Sequence, residues 1–179
     1  MIQTVMTFDP EVEGGGEPHW MCREKTKEVP MSEQDMKRTI VVGVDGSDDA
    51  TRALEWALET ARERGMKLLL VHGIDVGLSA ADPYGGGYVF EQLQDVGRLA
   101  LDSAVAMAAQ QGIEAETRLE VGSAAYALVE ASKGAAMLVV GSRGHGGFAG
   151  LLLGSVSTAC VHHAHCPIVV VPPPDGARK

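Results

Sequence analysis

Short hydrophobic runs alternate with amphipathic stretches along most of this chain. The apolar runs are rich in valine, isoleucine and leucine and are continuous, which is typical of strands buried on both faces of a parallel sheet. They predict strands at 39–44, 67–72, 114–121, 136–140 and 168–171, with helices between 48 and 65 and at 89–111, 124–133 and 154–163. Because strands that alternate with helices are joined by right-handed crossovers, the pattern predicts an α/β fold with one open parallel sheet and helices on both faces.

The alternating pattern is confined to the middle of the chain. Residues 1–37 have no sustained hydrophobic period and are rich in glycine and charge, so we expect a flexible acidic leader. Residues 38–172 are predicted to form one folded domain. Three consecutive prolines, Pro172–Pro174, are expected to end the fold and to leave residues 173–179 as a short tail.

Composition limits which residues can form the core and which classes of partner are expected. Apolar residues make up 45% of the chain but aromatic residues only 4%, so small aliphatic side chains are expected to form the core. The net charge of −9 argues against nonspecific binding to nucleic acid or to acidic membranes. Three cysteines form no disulfide framework, and there is neither a secretory signal nor an apolar run of about 20 residues. We therefore expect a cytoplasmic protein with no membrane partner.

The most informative motif is a pair of glycine-rich segments late in the predicted domain. Gly141-Ser142-Arg143-Gly144 follows the fourth strand, and Gly154-Ser155 comes after nine further residues, where a helix is predicted to begin. Glycine permits close approach of the backbone to a ligand, and a helix N-terminus presents unpaired N–H groups with a partial positive charge. The two segments together predict a phosphate cradle made of backbone. A purely structural glycine loop is the alternative.

Asp45 is expected at the same edge of the sheet. Val44-Asp45-Gly46-Ser47 follows the first strand, and ligands of open parallel sheets bind where the carboxyl ends of the strands meet. The Asp45 carboxylate can cap the following turn or accept hydrogen bonds from a ribose or an adenine amine, and the nearby glycine loop favours binding. Arg143 is the best candidate for an additional positive charge on phosphate; the alternative is that its side chain faces solvent.

Two familiar nucleotide motifs are rejected. Gly144–Ala149 matches the dinucleotide pattern G-x-G-x-x-A, but it lies in a long loop, and the downstream segment 164–171 contains no acidic residue. No G-x-x-x-x-G-K-[ST] sequence is present, so a P-loop mechanism is unsupported. The predicted phosphate cradle therefore contains no lysine.

Histidines and cysteines near the last helix suggest zinc, but their spacing does not support it. The residues concerned are Cys160, His162, His163, His165 and Cys166. Adjacent helical positions diverge by about 100°, so a structural helix end is favoured and no metal site is predicted here. His72 and His145 can lie on the rim of the ligand site, but neither has a visible base-orienting partner, and no catalytic residues are predicted.

The motifs together resemble the universal stress protein family. Residues 39–47 are similar to the opening strand of the family, Leu54–Ala57 to the next helix, and Leu70–Ile74 to the second strand. Residues 139–147 and 152–157 match the motif of the ATP-binding members, and residues 165–171 resemble the closing strand. The resemblance covers residues 38–172 in the expected order.

The resemblance implies a fold, a ligand and an assembly. The implied fold is a five-stranded parallel sheet of order 3-2-1-4-5, of the adenine nucleotide alpha hydrolase-like type, and the implied assembly is a homodimer paired through the last strand. The implied ligand is ATP with a divalent ion, most often Mg²⁺. By similarity, Asp45 contacts the ribose or adenine side and the Gly73 backbone lies beside adenine. Also by similarity, the phosphates are held by Gly141, Gly144, Gly154 and Ser155, and the site is lined by Val156 and Ser157.

These observations favour an ATP-binding regulator of the stress response whose ATP hydrolysis is slow or absent. The glycine motif is accompanied by no lysine, arginine finger or water-orienting carboxylate, which fast phosphoryl transfer would need. A nucleotide-dependent change in the 142–153 loop or at the dimer surface would be recognised by an unknown protein partner. Alternatives are an ATPase or phosphotransferase with real turnover, a nucleotide-free dimeric scaffold or chaperone, and, disfavoured by the few aromatic residues, a flavin-dependent electron carrier.

Overall fold

Five strands form one parallel sheet in the part of the chain that a computed structural model describes, residues 32–75, 86–144 and 152–174. The strands are β1 (Thr39–Gly43), β2 (Lys67–Ile74), β3 (Ala115–Val121), β4 (Met137–Gly141) and β5 (Ile168–Val171). The helices are α1 (Glu33–Met36), α2 (Asp48–Arg64), α3 (Gly86–Gln110), α4 (Ala124–Ala131) and α5 (Ser155–His163). The strand order is β3-β2-β1-β4-β5. The predicted sheet and its order 3-2-1-4-5 are therefore confirmed.

Helix α1 is the one described element that the hydrophobic pattern did not predict. It lies inside the segment assigned to the leader, whose residues 1–31 lie outside the described range. Ser32 caps this single turn by accepting a hydrogen bond from the Asp35 N–H, and the Thr39 hydroxyl donates to the Asp35 carbonyl at 2.8 Å. A four-residue helix is too short to show a helical period, because one turn already takes 3.6 residues.

Capping residues determine where several of the longer helices begin and end. Ser47 begins α2 by accepting a hydrogen bond from the Ala50 N–H at 3.2 Å. Gly65 ends α2 with a left-handed φ of 62°. Ser123 caps α4 in the same manner as Ser47 caps α2. Among the described residues, no helix combines the length and apolarity needed to cross a membrane.

The core consists of two aliphatic layers, one on each face of the sheet. Alternate residues of the central strands point to opposite faces, so Ile40 and Val42 pack against α2 and α3, whereas Val41 packs against α4 and α5. The helices contribute mainly alanine and leucine at these contacts, and Ala53, Ala57 and Ala108 are fully buried. Small helix residues let the helices lie close to the strands, which explains how a core forms with so few aromatic side chains.

The chain changes direction across the sheet between β1 and β4. From β1 it proceeds outward through β2 to β3, and it then returns to the other side of β1 to form β4 and finally β5. The loops that follow β1 and β4 therefore leave the same edge in opposite directions and open a crevice between them. Ligands of open α/β sheets bind at such a position.

Candidate functional site

A cavity of about 290 Å³ lies at the carboxyl edge of the sheet, where β1 and β4 adjoin. The structure brings to its wall every residue that the sequence predicted for the site: Asp45, Gly73, Gly141, Gly144, Gly154, Ser155, Val156 and Ser157. Aliphatic groups from β1, β2, β4 and α4 complete the wall, among them Val44, Val71 and Leu128. The structure thus places these residues around one space, and their individual contacts with a ligand stay predictions.

Two glycines at strand ends let helices begin directly against the sheet. A Cβ built on Gly73 would lie 2.7 Å from the Ala124 Cβ, at the start of α4. A Cβ built on Gly141 would lie 2.7 Å from the carbonyl oxygen of Asp49, in the first turn of α2. Both distances are too short for any side chain, so packing alone requires glycine at these positions. For Gly73 and Gly141 the structural explanation is therefore sufficient, whatever the ligand.

Asp45 performs the first of the two roles that the sequence left open, that of capping the turn. Its Oδ1 accepts hydrogen bonds from the Ser47 N–H at 2.9 Å and from the Ser47 hydroxyl at 2.6 Å, which fixes the turn between β1 and α2. Asp45 also lines the cavity, and its Oδ2 lies too close to Gly144 to leave space for a Cβ there. Asp45 thus lies at the junction between the first strand and the glycine loop.

The ends of the glycine loop are joined to each other by hydrogen bonds. The Gly154 N–H donates to the Ser142 carbonyl at 2.8 Å, and the buried Ser157 hydroxyl donates to the same carbonyl at 2.7 Å. Ser157, a predicted site residue, therefore also closes the loop. Because the N-cap residue of α5 is Gly154, which has no side chain, the first turn of this helix receives no side-chain cap. Its N–H groups point to the cavity edge at which Ser155 and Val156 lie.

Arg143 does not simply face solvent, because its side chain is 22% exposed and is paired with Asp49. The Arg143 Nε lies 3.6 Å from the Asp49 Oδ2, which also accepts a hydrogen bond from the Ser142 hydroxyl at 3.1 Å. Asp49 Oδ1 is bound by the guanidinium group of Arg52. This cluster was not predicted from the sequence, because an acidic residue in the first turn of a helix is ordinarily explained by the helix dipole.

A second cavity, of about 230 Å³, lies beside the first and is lined by polar groups. Its lining residues are Ser47, Asp48, Asp49, Arg143 and Gly144. Arg143 and Gly144 border both cavities. A ligand in the first cavity that extended past Gly144 would therefore meet the start of α2.

His72 supports the site from behind rather than lining it. Its Nδ1 lies 2.7 Å from the Val44 carbonyl oxygen, so the imidazole holds the chain just before Asp45. The ring lies against α3 at Gly97, where an added Cβ would be 2.8 Å from the His72 Cδ2 and 2.8 Å from the Leu119 Cδ1. His145, the other histidine expected near the rim, lies outside the described residues.

The cysteine and histidine residues of α5 and the following turn do not converge. Cys160 is fully buried in the core, and burial raises the pKa of its thiol to about 11. Burial also raises the pKa of the Cys166 thiol. The rings of His162 and His163 are 6.2 Å apart on the exposed side of the helix. Across residues 32–75, 86–144 and 152–174, no three histidine, cysteine or acidic side chains form a group that could hold a metal ion.

Comparison with known proteins identifies the family. The family described as "Universal stress protein family" matches residues 36–172, which include the whole sheet and the cavity. The chain belongs to the universal stress protein family. Gly141-x-x-Gly144 and Gly154-Ser155, which first indicated a phosphate cradle, lie within the matched region.

This universal stress protein has relatives in bacteria and archaea. A universal stress protein of Mycobacterium tuberculosis is 36% identical over 148 residues, which cover 79% of this chain and 50% of the relative. One from Methanocaldococcus jannaschii is 31% identical over 145 residues, covering 79% of this chain and 85% of the relative. The chain thus spans about half the length of the mycobacterial relatives that it matches.

Solved structures of universal stress proteins share the fold, and some contain nucleotides. A complex with cAMP is 30% identical, with a TM-score of 0.58, covering 75% of this chain and 96% of the other. An AMP-bound protein from Arabidopsis thaliana is 26% identical, with a TM-score of 0.58, covering 76% and 92%. A dAMP complex from Archaeoglobus fulgidus is also 26% identical, with a TM-score of 0.58, covering 76% and 98%.

The contact between His72 and Gly97 leads to a stability prediction. Alanine normally stabilises a helix interior by about 1 kcal/mol relative to glycine. At Gly97 we expect the opposite sign, a loss of about 1–3 kcal/mol, because the added methyl group must displace Leu119 or a histidine held by the Val44 carbonyl. Urea denaturation of Gly97→Ala measures this change. Ser103→Ala, at an exposed position of the same helix, is the control, and a Gly97→Ala variant more stable than wild type would contradict the packing.

Proposed function

We propose that this universal stress protein binds ATP, together with Mg²⁺, in the cavity between β1 and β4. We further propose that it acts as a nucleotide-dependent regulator in the stress response, as a cytoplasmic homodimer with slow or absent ATP hydrolysis. The observation that carries the proposal is the convergence of Asp45, Gly144 and the start of α5 on one cavity at the switch point of the sheet. Structural relatives named as complexes with AMP, cAMP and dAMP support an adenine nucleotide.

The start of α5 fits phosphate better than any other part of the cavity. Its first turn receives no side-chain cap, and an uncapped helix N-terminus attracts anions through N–H groups and the helix dipole. A Cβ on Gly154 would meet no described atom closer than 3.5 Å, so protein packing does not explain glycine at that position. Close approach of a ligand to the backbone does explain it.

The opposite part of the cavity fits a nucleoside. Val71, Leu128 and the backbone of Gly73 provide an apolar wall against which a flat base can pack. Asp45, at the boundary between this wall and the glycine loop, has a carboxylate that can accept hydrogen bonds from ribose hydroxyl groups. The order of apolar wall, carboxylate and helix N-terminus matches the order of base, sugar and phosphates.

The second cavity supports a triphosphate with Mg²⁺ rather than a monophosphate. Phosphates that extended past Gly144 would approach Arg143, a cation, together with the Ser47 hydroxyl and the Asp48 carboxylate. Mg²⁺ prefers oxygen ligands and usually binds through one or two carboxylates plus substrate phosphates, so these groups fit an ion carried by the nucleotide. When bound, Mg²⁺ would neutralise phosphate charge beside Asp48.

Slow hydrolysis follows from what lines the cavity. Among its described lining residues there is no lysine, and the carboxylate of Asp45 is engaged by the Ser47 backbone and hydroxyl. Backbone N–H groups hold the phosphates of the ground state but do not activate a water molecule. Regulation by occupancy of the site is the function that such a cavity supports best.

Pairing through β5 is supported by the difference between the two edge strands. The β3 edge carries Glu116, Arg118 and Glu120, and charged side chains discourage pairing with another chain. The β5 edge, Ile168–Val171, is entirely aliphatic, and all four of its residues are half-buried in the single chain. An apolar edge with unpaired backbone groups is suited to a second copy of the same strand.

The first prediction concerns ATP affinity and Gly144. We expect isothermal titration calorimetry with ATP and Mg²⁺ to detect binding, and absence of binding up to millimolar ATP would reject the proposal. Gly144→Ala should weaken binding about tenfold or more, because the methyl group would displace the Asp45 carboxylate from the position proposed to meet the ligand. Gly112→Ala is the control: its φ of 68° strains an alanine through the backbone rather than through a contact, but it lies outside the cavity and should leave the affinity unchanged.

Hydrolysis is tested separately. We expect phosphate release from ATP at saturating concentration to be far below the typical enzymatic turnover of about 10 per second. The expected reason is that the described residues lining the first cavity include no lysine and one carboxylate, that of Asp45, which already accepts hydrogen bonds from Ser47. Release at enzymatic rates that is lost in both Gly144→Ala and Asp45→Ala would establish an enzyme instead.

The proposed homodimer is tested by measuring the molecular mass in solution. Sedimentation equilibrium should give twice the 18.8 kDa of one chain at micromolar concentration, because the aliphatic β5 edge is expected to pair. A charge introduced at this edge by Val170→Lys should shift the mass toward that of one chain. A single-chain mass for the unmodified protein at every concentration would contradict the homodimer.

A further inference from the structure

One carboxylate, that of Asp49, binds three polar groups beside the cavity. Its Oδ1 is bound by Arg52, and its Oδ2 accepts from the Ser142 hydroxyl at 3.1 Å and lies 3.6 Å from the Arg143 Nε. The side chains are largely buried, with 13% of Asp49 and 22% of Arg143 exposed. Such a pair is screened less by water than an exposed one, so its geometry is held more firmly.

The position of Asp49 is itself determined by the sheet. Its backbone lies against the α-carbon of Gly141, where no Cβ fits, so the first turn of α2 cannot shift relative to the end of β4. Ser142 and Arg143 directly follow that strand end. Asp49 therefore reaches back from α2 to hold the two residues that lead into the glycine loop.

The contact leaves the larger part of the guanidinium group for a ligand. Asp49 approaches Arg143 through Nε, whereas the edge formed by the two terminal nitrogens is the one suited to two parallel hydrogen bonds with a phosphate. Arg143 lines both cavities, and the second cavity lies where the outer phosphates of a triphosphate would extend. A monophosphate held at the start of α5 would not extend to it.

We infer that Asp49 is a positioning residue that orients Arg143 toward the outer phosphates and thereby gives the cavity a preference for ATP over AMP. The inference rests on the proposed nucleotide site and adds to it a residue that distinguishes nucleotides by their number of phosphates. Asp49 acts through Arg143 and contacts no base or sugar.

Simple electrostatics and the inference predict opposite changes in ATP affinity when Asp49 is removed. The direction of the change therefore tests the inference. A carboxylate close to phosphates repels them, so its removal should strengthen ATP binding if charge alone matters. Removal would also leave Arg52 and Arg143 without their shared counter-ion. If Asp49 orients Arg143, its removal weakens ATP binding instead.

The experiment compares Asp49→Asn with Glu55→Gln by calorimetry with AMP, ADP and ATP in the presence of Mg²⁺. Glu55 is an exposed residue of the same helix and lines neither cavity, so its substitution removes one negative charge without removing the contact with Arg143. We expect Asp49→Asn to lower the ratio of ATP to AMP affinity about tenfold, the effect of losing one charge-assisted hydrogen bond, with AMP affinity unchanged. Glu55→Gln should leave that ratio unchanged.

A double-mutant cycle with Arg143→Ala tests whether Asp49 acts through Arg143. In the Arg143→Ala background, Asp49→Asn should have no further effect on the ratio, whereas independent effects would add. Arg143→Lys serves if Asp49→Asn does not fold, because lysine keeps the charge but has no Nε to be held. It should lose most of the preference for ATP, and a full preference in Arg143→Lys would overturn the inference.

The outcomes separate this inference from the proposed function. An unmodified protein that binds none of the three nucleotides overturns both. An unmodified protein that binds all three equally keeps the nucleotide site and overturns the role of Asp49. The role of Asp49 is also overturned if Asp49→Asn raises the affinity for ATP.

Discussion

Close contact between helix N-termini and strand ends is the constraint on which the cavity depends. At Gly73 the first residue of α4 lies against β2, and at Gly141 the first turn of α2 lies against β4, in both cases with no space for a Cβ. Because these helices begin directly at the sheet, their first turns form walls of the same crevice. A side chain at either glycine would push one wall outward, so the cavity requires both contacts.

The hydrogen bonds around the cavity hold its shape without a ligand. Asp45 fixes the turn to α2 through Ser47, and Ser157 closes the glycine loop through the Ser142 carbonyl. Residues expected to bind nucleotide therefore also stabilise the turn and the loop that form the site. A site already held in place loses less conformational entropy on binding, and more of the interaction energy appears as affinity.

The sequence predicted the fold class and the glycine segments of the cavity because both depend on local patterns, whereas Gly73, Val156 and Ser157 were assigned to the site by resemblance to the universal stress proteins. Continuous aliphatic runs such as Val41–Gly43 identify buried strands, and the glycine spacing from Gly141 to Ser155 lies within one loop and one helix start. The strand order came from resemblance to the universal stress proteins rather than from the pattern, and it is confirmed. The binding roles of the individual residues stay predictions.

What the sequence did not reveal depends on contacts between distant positions. Asp49 meets Ser142, 93 positions later, and His72 meets the Val44 carbonyl from a neighbouring strand, so neither has a local signature. Neither side chain belongs to the glycine-rich segments. His72 holds the chain just before Asp45, and Asp49 holds Arg143. Residues proposed to contact a ligand lie in glycine-rich segments that can be recognised from the local sequence. Residues that position them are ordinary acids and histidines, whose role appears only when strands and helices are assembled. In this universal stress protein the glycine motif therefore marks the proposed phosphate site, and the long-range pairs hold the groups around it.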